Sequence, residues 1–264
     1  MIHQILQKIK ANKKYSSLAD SVVKKEIKAY LKSNPNASAD KQTIKEIRAK
    51  LHRNYASFQT KKKNKTNIYL EELKQNTLNK NTNNKLLSIT VSTKERINDY
   101  KSLYKKIFSI TNKPEIIIDL GCGLNPFSFP TMSLPKLTYY AYDIDEKDMK
   151  YLNKYFKIMK PAGLTGKAKI LDATNIKKIK QFPKSDIVFM FKLLDLFDNK
   201  VSEQLIIQAI KTTKHIVASF PTKTITRKPM NHPKRKGFEL MLARLNLKFK
   251  TIQTDNEIFY VIEK

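Results

Sequence analysis

Asp119, Gly121 and Gly123 stand in the run IIIDLGCGLNP at 116–126, where three isoleucines end in an acid and then in two glycines that bracket Cys122. Glycines so placed let the chain turn sharply and bring its backbone against a ligand that a side chain would hold away. Asp143 follows Gly121 by 22 residues and ends a second β-rich run, TYYAYDID, while Asp172 ends a third, KAKILDATN. A carboxylate at the first position can accept hydrogen bonds from two ribose hydroxyls, and one at the second can meet an adenine amino group. A nicotinamide dinucleotide would want Gly-x-Gly-x-x-Gly opening a helix. Here Pro126 occupies the third glycine position. Any one of these acids could equally be a helix cap at a strand end; the three in order point to an adenosine-bearing cofactor. Cys122, Asn125, Ile144 and Ala173, beside these positions, and Phe191 and Lys192, at the end of a fourth β-rich run, complete the expected cofactor wall. Cys122 reads as a small packing residue without a catalytic task.

Such a turn needs a sheet to present it. From Ile116 onward, β-rich runs at 116–119, 137–142, 167–171, 186–191 and 214–219 alternate with helical stretches near 145–159 and 200–212. That alternation predicts an open, mostly parallel α/β sheet whose ligand lies beyond the carboxyl ends of the strands. The tail LNLKFKTIQTDNEIFYVIEK reads as two more strands around Asp255-Asn256, an antiparallel hairpin at one edge that brings the count to seven. Upstream, apolar residues at helical spacing (Ile2, Ile5, Leu6, Ile9; Leu18, Val22, Val23, Ile27, Leu31; Ile44, Ile47, Leu51) predict three amphipathic helices. KKKNKTN at 61–67 reads as a loop, and VSTKERINDYKSLYKKIFSI as one helix capped by Ser92 or Thr93, with Glu95 closing a capping box. The expected division is a helical domain over residues 1–105 and an α/β domain over 106–264.

The charge balance says what the molecule faces. Lys plus Arg number 52 against 23 acids, a formal charge of +29, which is far beyond the needs of solubility and predicts a polyanionic partner. Residues 1–66 alone carry 17 basic side chains against four acids. Lys13, Lys14, Lys50, His52 and Arg53 are therefore candidates for RNA contact, alongside Lys223, Arg227, Lys228, Lys234, Arg235 and Lys236 near the other end. A solvated helix face and an AT-rich coding bias are the plain alternatives. The single cysteine excludes an internal disulfide and a multi-cysteine zinc site, and no metal is expected. The longest apolar run, DIVFMFKLLDLF, is broken by Lys192 and Asp195, short of the roughly 18–20 residues that a membrane span requires. The N-terminus lacks an apolar signal core, so no membrane partner and a cytoplasmic protein are expected.

Acid, x, Gly, x, Gly followed by the two later acids is the pattern of class I S-adenosylmethionine-dependent methyltransferases, and the residues present narrow the methyl acceptor. Exocyclic amines of adenine and cytosine usually meet an Asn/Asp-Pro-Pro-aromatic loop after the fourth strand, where this chain reads FMFKLLDLF. Carbon 5 of a pyrimidine needs a cysteine nucleophile, and the only cysteine is in the cofactor turn. A ring nitrogen such as guanine N7 carries a lone pair and no proton, so it asks for orientation and no general base. A protein that had kept the fold without the activity would show the same lack of a base.

Ser92-Thr93-Lys94-Glu95-Arg96, Cys122-Gly123-Leu124-Asn125-Pro126, Phe191-Lys192-Leu193-Leu194 and Ser219-Phe220-Pro221-Thr222, taken together and in this order, resemble the motifs of the aminoglycoside-resistance 16S rRNA methyltransferases that modify N7 of guanine 1405. These are the Arm/Rmt/Kgm/Sgm type enzymes, or FmrO family. Lys50-Leu51-His52 resembles a family Arg-Leu-His, so the similarity spans the chain. The resemblance implies a class I methyltransferase domain behind a helical domain that docks on the small ribosomal subunit, S-adenosyl-L-methionine as cofactor, 16S rRNA as partner, and a monomer. It implies that Arg96 pairs with the cofactor's carboxylate, and that Lys192 and Ser219, with Thr222, position the target base. After Thr222 the chain departs from the family's glycine-rich basic loop: KTITRKPMNHPKRKGFE has two prolines and one glycine. A different rRNA or tRNA position, or an RNA-binding assembly factor without activity, therefore stays open as an alternative, and His232 reads as a loop residue.

Overall fold

Ile116–Leu120 (β1) opens with three β-branched isoleucines and is almost wholly buried, and it forms the centre of the sheet in the computed structural model, which describes residues 1–55, 60–224, 228–230 and 234–264. On one side β1 pairs in parallel with Leu137–Asp143 (β2), and β2 with Leu164–Ile170 (β3). On the other side it pairs with Ser185–Phe191 (β4), which is followed by Thr213–Pro221 (β5), again in parallel. Glu257–Glu263 (β7) then runs antiparallel to β5, and Lys248–Gln253 (β6) forms the edge. The order β3-β2-β1-β4-β5-β7-β6 places the chain reversal between β1 and β4. Ligands bind beyond the strand ends at such a switch point. The predicted hairpin is there, at the predicted edge.

Because successive strand residues face opposite ways, neighbours such as Ile117 and Ile118, or Phe189 and Met190, feed two separate cores. One face is covered by Thr66–Gln75 (α4), Lys80–Leu87 (α5), Tyr100–Thr111 (α7) and Glu146–Met159 (α8), through Leu70, Leu86, Tyr104 and Leu152. The other is covered by Ile176–Ile179 (α9), Asn199–Ala209 (α10) and Lys236–Arg244 (α11), through Ile179, Leu205, Ile206 and Leu242. A third core, made by Ile2–Lys10 (α1), Asp20–Ser33 (α2) and Lys41–Asn54 (α3), draws its buried residues, among the described residues, from Ile5 to Tyr55, with Ile144 packed against it. These are the three predicted helices. The cores thus divide between Tyr55 and Leu70, upstream of the expected boundary at 105, because α4, α5 and α7 bury their apolar faces on the sheet.

Two local expectations are corrected. Residues 61–67 are no loop: a 3-10 turn at Lys61–Lys65 runs straight into α4. VSTKERINDYKSLYKKIFSI is not one helix either, but Val91–Glu95 (α6) and α7, separated at Arg96–Asp99. Neither Ser92 nor Thr93 caps it. Thr90 is the N-cap residue, the Thr93 hydroxyl is buried against the Leu87 carbonyl and the Thr90 hydroxyl, and Glu95 turns away to Lys192.

The helical N-terminus is fastened to the sheet beside the β2 end. Asp145 caps α8 by accepting from the Asp148 backbone N–H at 2.9 Å. Its second oxygen accepts from Ser17 Oγ at 2.8 Å, from the Tyr55 hydroxyl and from Lys63 Nζ at 2.6 Å. Lys63 Nζ also lies 2.8 Å from Asp148. Asp145, Asp148 and Lys63 are 0%, 1% and 9% exposed, so this cation and two anions are closed off from water. Burial pushes the Asp148 carboxyl upward and Lys63 opposes it. The Ala19 N–H to Ile144 O and Glu146 N–H to Ser17 O bonds complete the seam.

Candidate active site

A cavity of about 350 Å³ opens over the ends of β1 and β4, at the switch point. Gly121 (φ +68°) and Gly123 (φ +48°) form its floor with left-handed backbone that other residues rarely adopt. A Cβ on Gly121 would stand 2.6 Å from Leu193 Cδ1, while the space above Gly123 is open. The turn is held by Asp143, which accepts from the N–H groups of Gly123 at 2.8 Å and Ile144 at 2.7 Å. Asp143 is nevertheless part of the cavity wall, together with Ile144, Asp172, Ala173, Phe191 and Lys192. Asp172 lies beyond β3, and its Oδ1 accepts from the backbone N–H and hydroxyl of Thr174 at 2.9 and 2.7 Å.

Other expected cofactor residues lie behind this wall. Asp119 is fully buried beneath the turn, where Oδ2 accepts from Tyr139 OH at 2.6 Å and Asn125 Nδ2 at 2.9 Å. Its Oδ1 has no hydrogen-bond partner. Asn125 is spent on Asp119 and on the Tyr100 hydroxyl, so it supports the turn without lining the cavity. Cys122 is also buried, and desolvation pushes its thiol well above the usual range, which suits packing and no chemistry.

Desolvation raises the Asp119 carboxyl to about 6 despite its two donors. The folded state therefore binds this proton more tightly than the unfolded chain, so the contribution to stability is present at low pH and lost as pH rises through about 6. The loss is on the order of 3 kcal/mol for a shift of roughly two units. Asp119→Asn removes the titration, so the melting temperature of the variant is expected to gain on wild type between pH 4 and 6.5 and then to run parallel. Parallel curves throughout would show that Asp119 carries no such shift.

Arg96 lies beside the cavity wall, engaged with another carboxylate. Its guanidinium is buried and grips Glu257 with two bonds, Nε to Oε1 at 2.7 Å and Nη2 to Oε2 at 3.0 Å, while stacking 5.0 Å from the centre of Phe191. It supports the wall from behind and is not an open fork on the cavity. Ser219 is likewise no rim residue: at 0% exposure it donates to Glu257 at 2.8 Å and accepts from the Lys192 backbone N–H at 3.0 Å. Thr222 is buried against the Asp255–Asn256 turn. Lys192 does reach the cavity. It adopts a left-handed backbone (φ +52°), and its ammonium joins Glu95 at 2.7 Å and Glu257 at 3.2 Å. Glu257 is thus the hub that ties α6, β4 and β5 together. Burial pushes its carboxyl up, but Arg96 and Lys192 outweigh that and hold it below the ordinary range.

Several wall residues carry no local signal in the sequence. Val22, Lys25, Glu26, Lys50, Leu51 and Tyr55 bring α2 and α3 over the cavity. Only helical spacing, with Val22, Lys25 and Glu26 on one face, hints at a shared surface. From the segment after β4 come Leu193, Leu196 and Phe197; apolar residues just past a strand end at a switch point were the available clue. Of the basic candidates, Lys13, Lys14, Lys50, His52, Arg53, Lys228, Lys234 and Lys236 are exposed. Lys50 pairs with Glu26 at 2.7 Å, and Arg235 pairs with Asp195 at 3.0 Å over the Phe220 ring. Lys223 is partly exposed in a bridge to Pro229. Arg227 and His232 lie outside the described residues. Among the described residues no acid, histidine or cysteine group could hold a metal, and no helix is long and apolar enough to cross a membrane.

The family model described as ribosomal RNA methyltransferase (FmrO) matches residues 12–261. A 16S rRNA (guanine(1405)-N(7))-methyltransferase from Proteus mirabilis is 28% identical, with 100% of this chain and 97% of the relative covered. One of the same name from Micromonospora rosea is 25% identical over the same shares. Among solved structures, the 16S rRNA methyltransferase RmtF in complex with S-adenosyl-L-homocysteine superposes with a TM-score of 0.79 at 18% identity, covering 100% of this chain and 98% of that one. The 16S rRNA methylase RmtB does so with 0.72 at 22%, over the same shares.

Proposed function

The chain belongs to the ribosomal RNA methyltransferase (FmrO) family, and from that premise we propose that it transfers a methyl group from S-adenosyl-L-methionine to N7 of guanine 1405 in the 16S rRNA of the small ribosomal subunit. The observation that carries this reading is the convergence of the Gly121–Gly123 turn, Asp143 and Asp172 on one cavity at the switch point, under helices whose outer faces are basic. The names of the full-length relatives support the acceptor and its position.

The residues present fit this cofactor. Asp143 offers a carboxylate to the ribose, Asp172 and Ala173 lie at the adenine end, and Phe191 and Ile144 supply apolar wall. Asp119, buried beneath the turn, holds it from below through Tyr139 and Asn125. When bound, S-adenosyl-L-methionine supplies an electrophilic methyl on sulfur, and transfer to N7 leaves the positive charge on the base. The protein orients the purine and keeps water out, since N7 has no proton to remove. Lys192 is the residue of the wall closest in role to the base, and Ser219 acts through it and Glu257 as a positioning residue. Lys13, Lys14, His52, Arg53, Lys228, Lys234 and Lys236 are assigned to rRNA phosphates, which position the enzyme without reading sequence. On this account the molecule works as a cytoplasmic monomer on the assembled subunit.

Expression in a susceptible bacterium tests the acceptor. Protection against 4,6-disubstituted deoxystreptamines with continued sensitivity to apramycin is the expected profile. The reverse profile would move the methyl group to another nucleotide, which the departure from the family's loop after Thr222 would then explain.

A further inference from the structure

Asp172 is already engaged by the helical part of the molecule. Lys25, on α2, reaches across the cavity so that its Nζ lies 2.8 Å from Asp172 Oδ2 and also bonds to Thr174 Oγ1. Asp172 Oδ1 is taken twice by Thr174, so Oδ2 is the oxygen left for a ligand's amino group. A carboxylate oxygen has about two acceptor sites, and here the first is held by a charged donor whose stem also occupies the cavity. Lys25 belongs to the strongly basic N-terminal third, and its side chain is 48% exposed. It can therefore leave Asp172 for another anion without unfolding anything.

Building on the proposed cofactor site, we infer that Lys25 is a latch between RNA docking and cofactor binding. In the free protein it occupies Asp172 in competition with the adenine amino group; on the ribosomal subunit it passes to an rRNA phosphate and opens that position. Because coupling between two ligands is reciprocal, cofactor binding must then favour RNA docking by the same factor. The latch involves an exposed pair, so the effect is modest, about fivefold in affinity.

The test is titration calorimetry of S-adenosyl-L-homocysteine into wild type, Lys25→Ala and Lys25→Gln, each without RNA and checked for an unchanged melting profile. Both variants are expected to bind about fivefold more tightly than wild type. Equilibrium dialysis with purified 30S subunits is expected to tighten wild-type binding by a similar factor and to leave both variants unchanged. Variants that bind as wild type does, or more weakly, would overturn the latch while leaving the cofactor assignment standing. Wild type that binds no S-adenosyl-L-homocysteine, alone or on subunits, would remove the cofactor reading and the latch with it.

Discussion

Replacing Lys63 with Met is expected to lower the unfolding free energy by about 3–5 kcal/mol, the usual cost of stranding a buried charge when its partner is removed. Lys63 lies between Asp145 and Asp148, both within 2.8 Å and both sealed from water by Tyr55, Ser17 and the start of α8. Methionine fills the same volume and leaves two carboxylates facing each other. Since roughly 2–4 °C follows each kcal/mol in a chain of this size, the melting temperature should drop by about 10 °C. Denaturant unfolding of Lys63→Met and of Lys63→Met with Asp148→Asn checks the cause, because the second substitution should recover part of the loss. A loss below about 1 kcal/mol would mean that water reaches these charges.

Asp143→Ala is expected to weaken S-adenosyl-L-homocysteine binding by at least about 100-fold, the largest effect on function proposed for a single site. Two charge-assisted bonds to a ribose are worth roughly 1.5–3 kcal/mol each, and each 1.4 kcal/mol is about tenfold. The same carboxylate holds the Gly123 and Ile144 N–H groups. Its loss therefore loosens the turn as well. Asp143→Asn keeps one acceptor oxygen and should lose only about tenfold. Calorimetry on folded variants reads both; wild-type affinity in Asp143→Ala would remove Asp143 from the site.

The sheet was legible because its information is local. Ile116–Ile118, the Asp143 and Asp172 strand ends and the Asp255-Asn256 turn each announce themselves within a few residues, and the period of two tells which core a residue enters. The glycine turn was legible for the same reason. What could not be read is what pairs across distance. Lys63 sits in a run of lysines that looks solvated, and only Asp145 and Asp148, more than 80 positions away, draw it inside. The Arg96 guanidinium is a plausible anion fork in sequence, yet its carboxylate is Glu257, 161 residues later. Ser219 looked like a rim residue because it nears the end of β5, and the same Glu257 explains why it is buried. The contribution of α2 to the cavity, through Val22 and Lys25, likewise depends on how the N-terminal core leans on the Asp143–Asp145 turn. Each miss is an ion pair or a packing contact between elements that no spacing rule connects.

The cavity, its acids and the family together make one chemical claim, that N7 of guanine 1405 receives the methyl group. It is tested most directly by incubating purified 30S subunits with the protein and radiolabelled S-adenosyl-L-methionine, then cleaving the rRNA with borohydride and aniline and extending a primer across the decoding site. The account predicts label in 16S rRNA and a strand break at guanine 1405, both strongly reduced with Asp143→Ala at a cofactor concentration near the wild-type affinity. Label without that break, or no label on subunits, would contradict it.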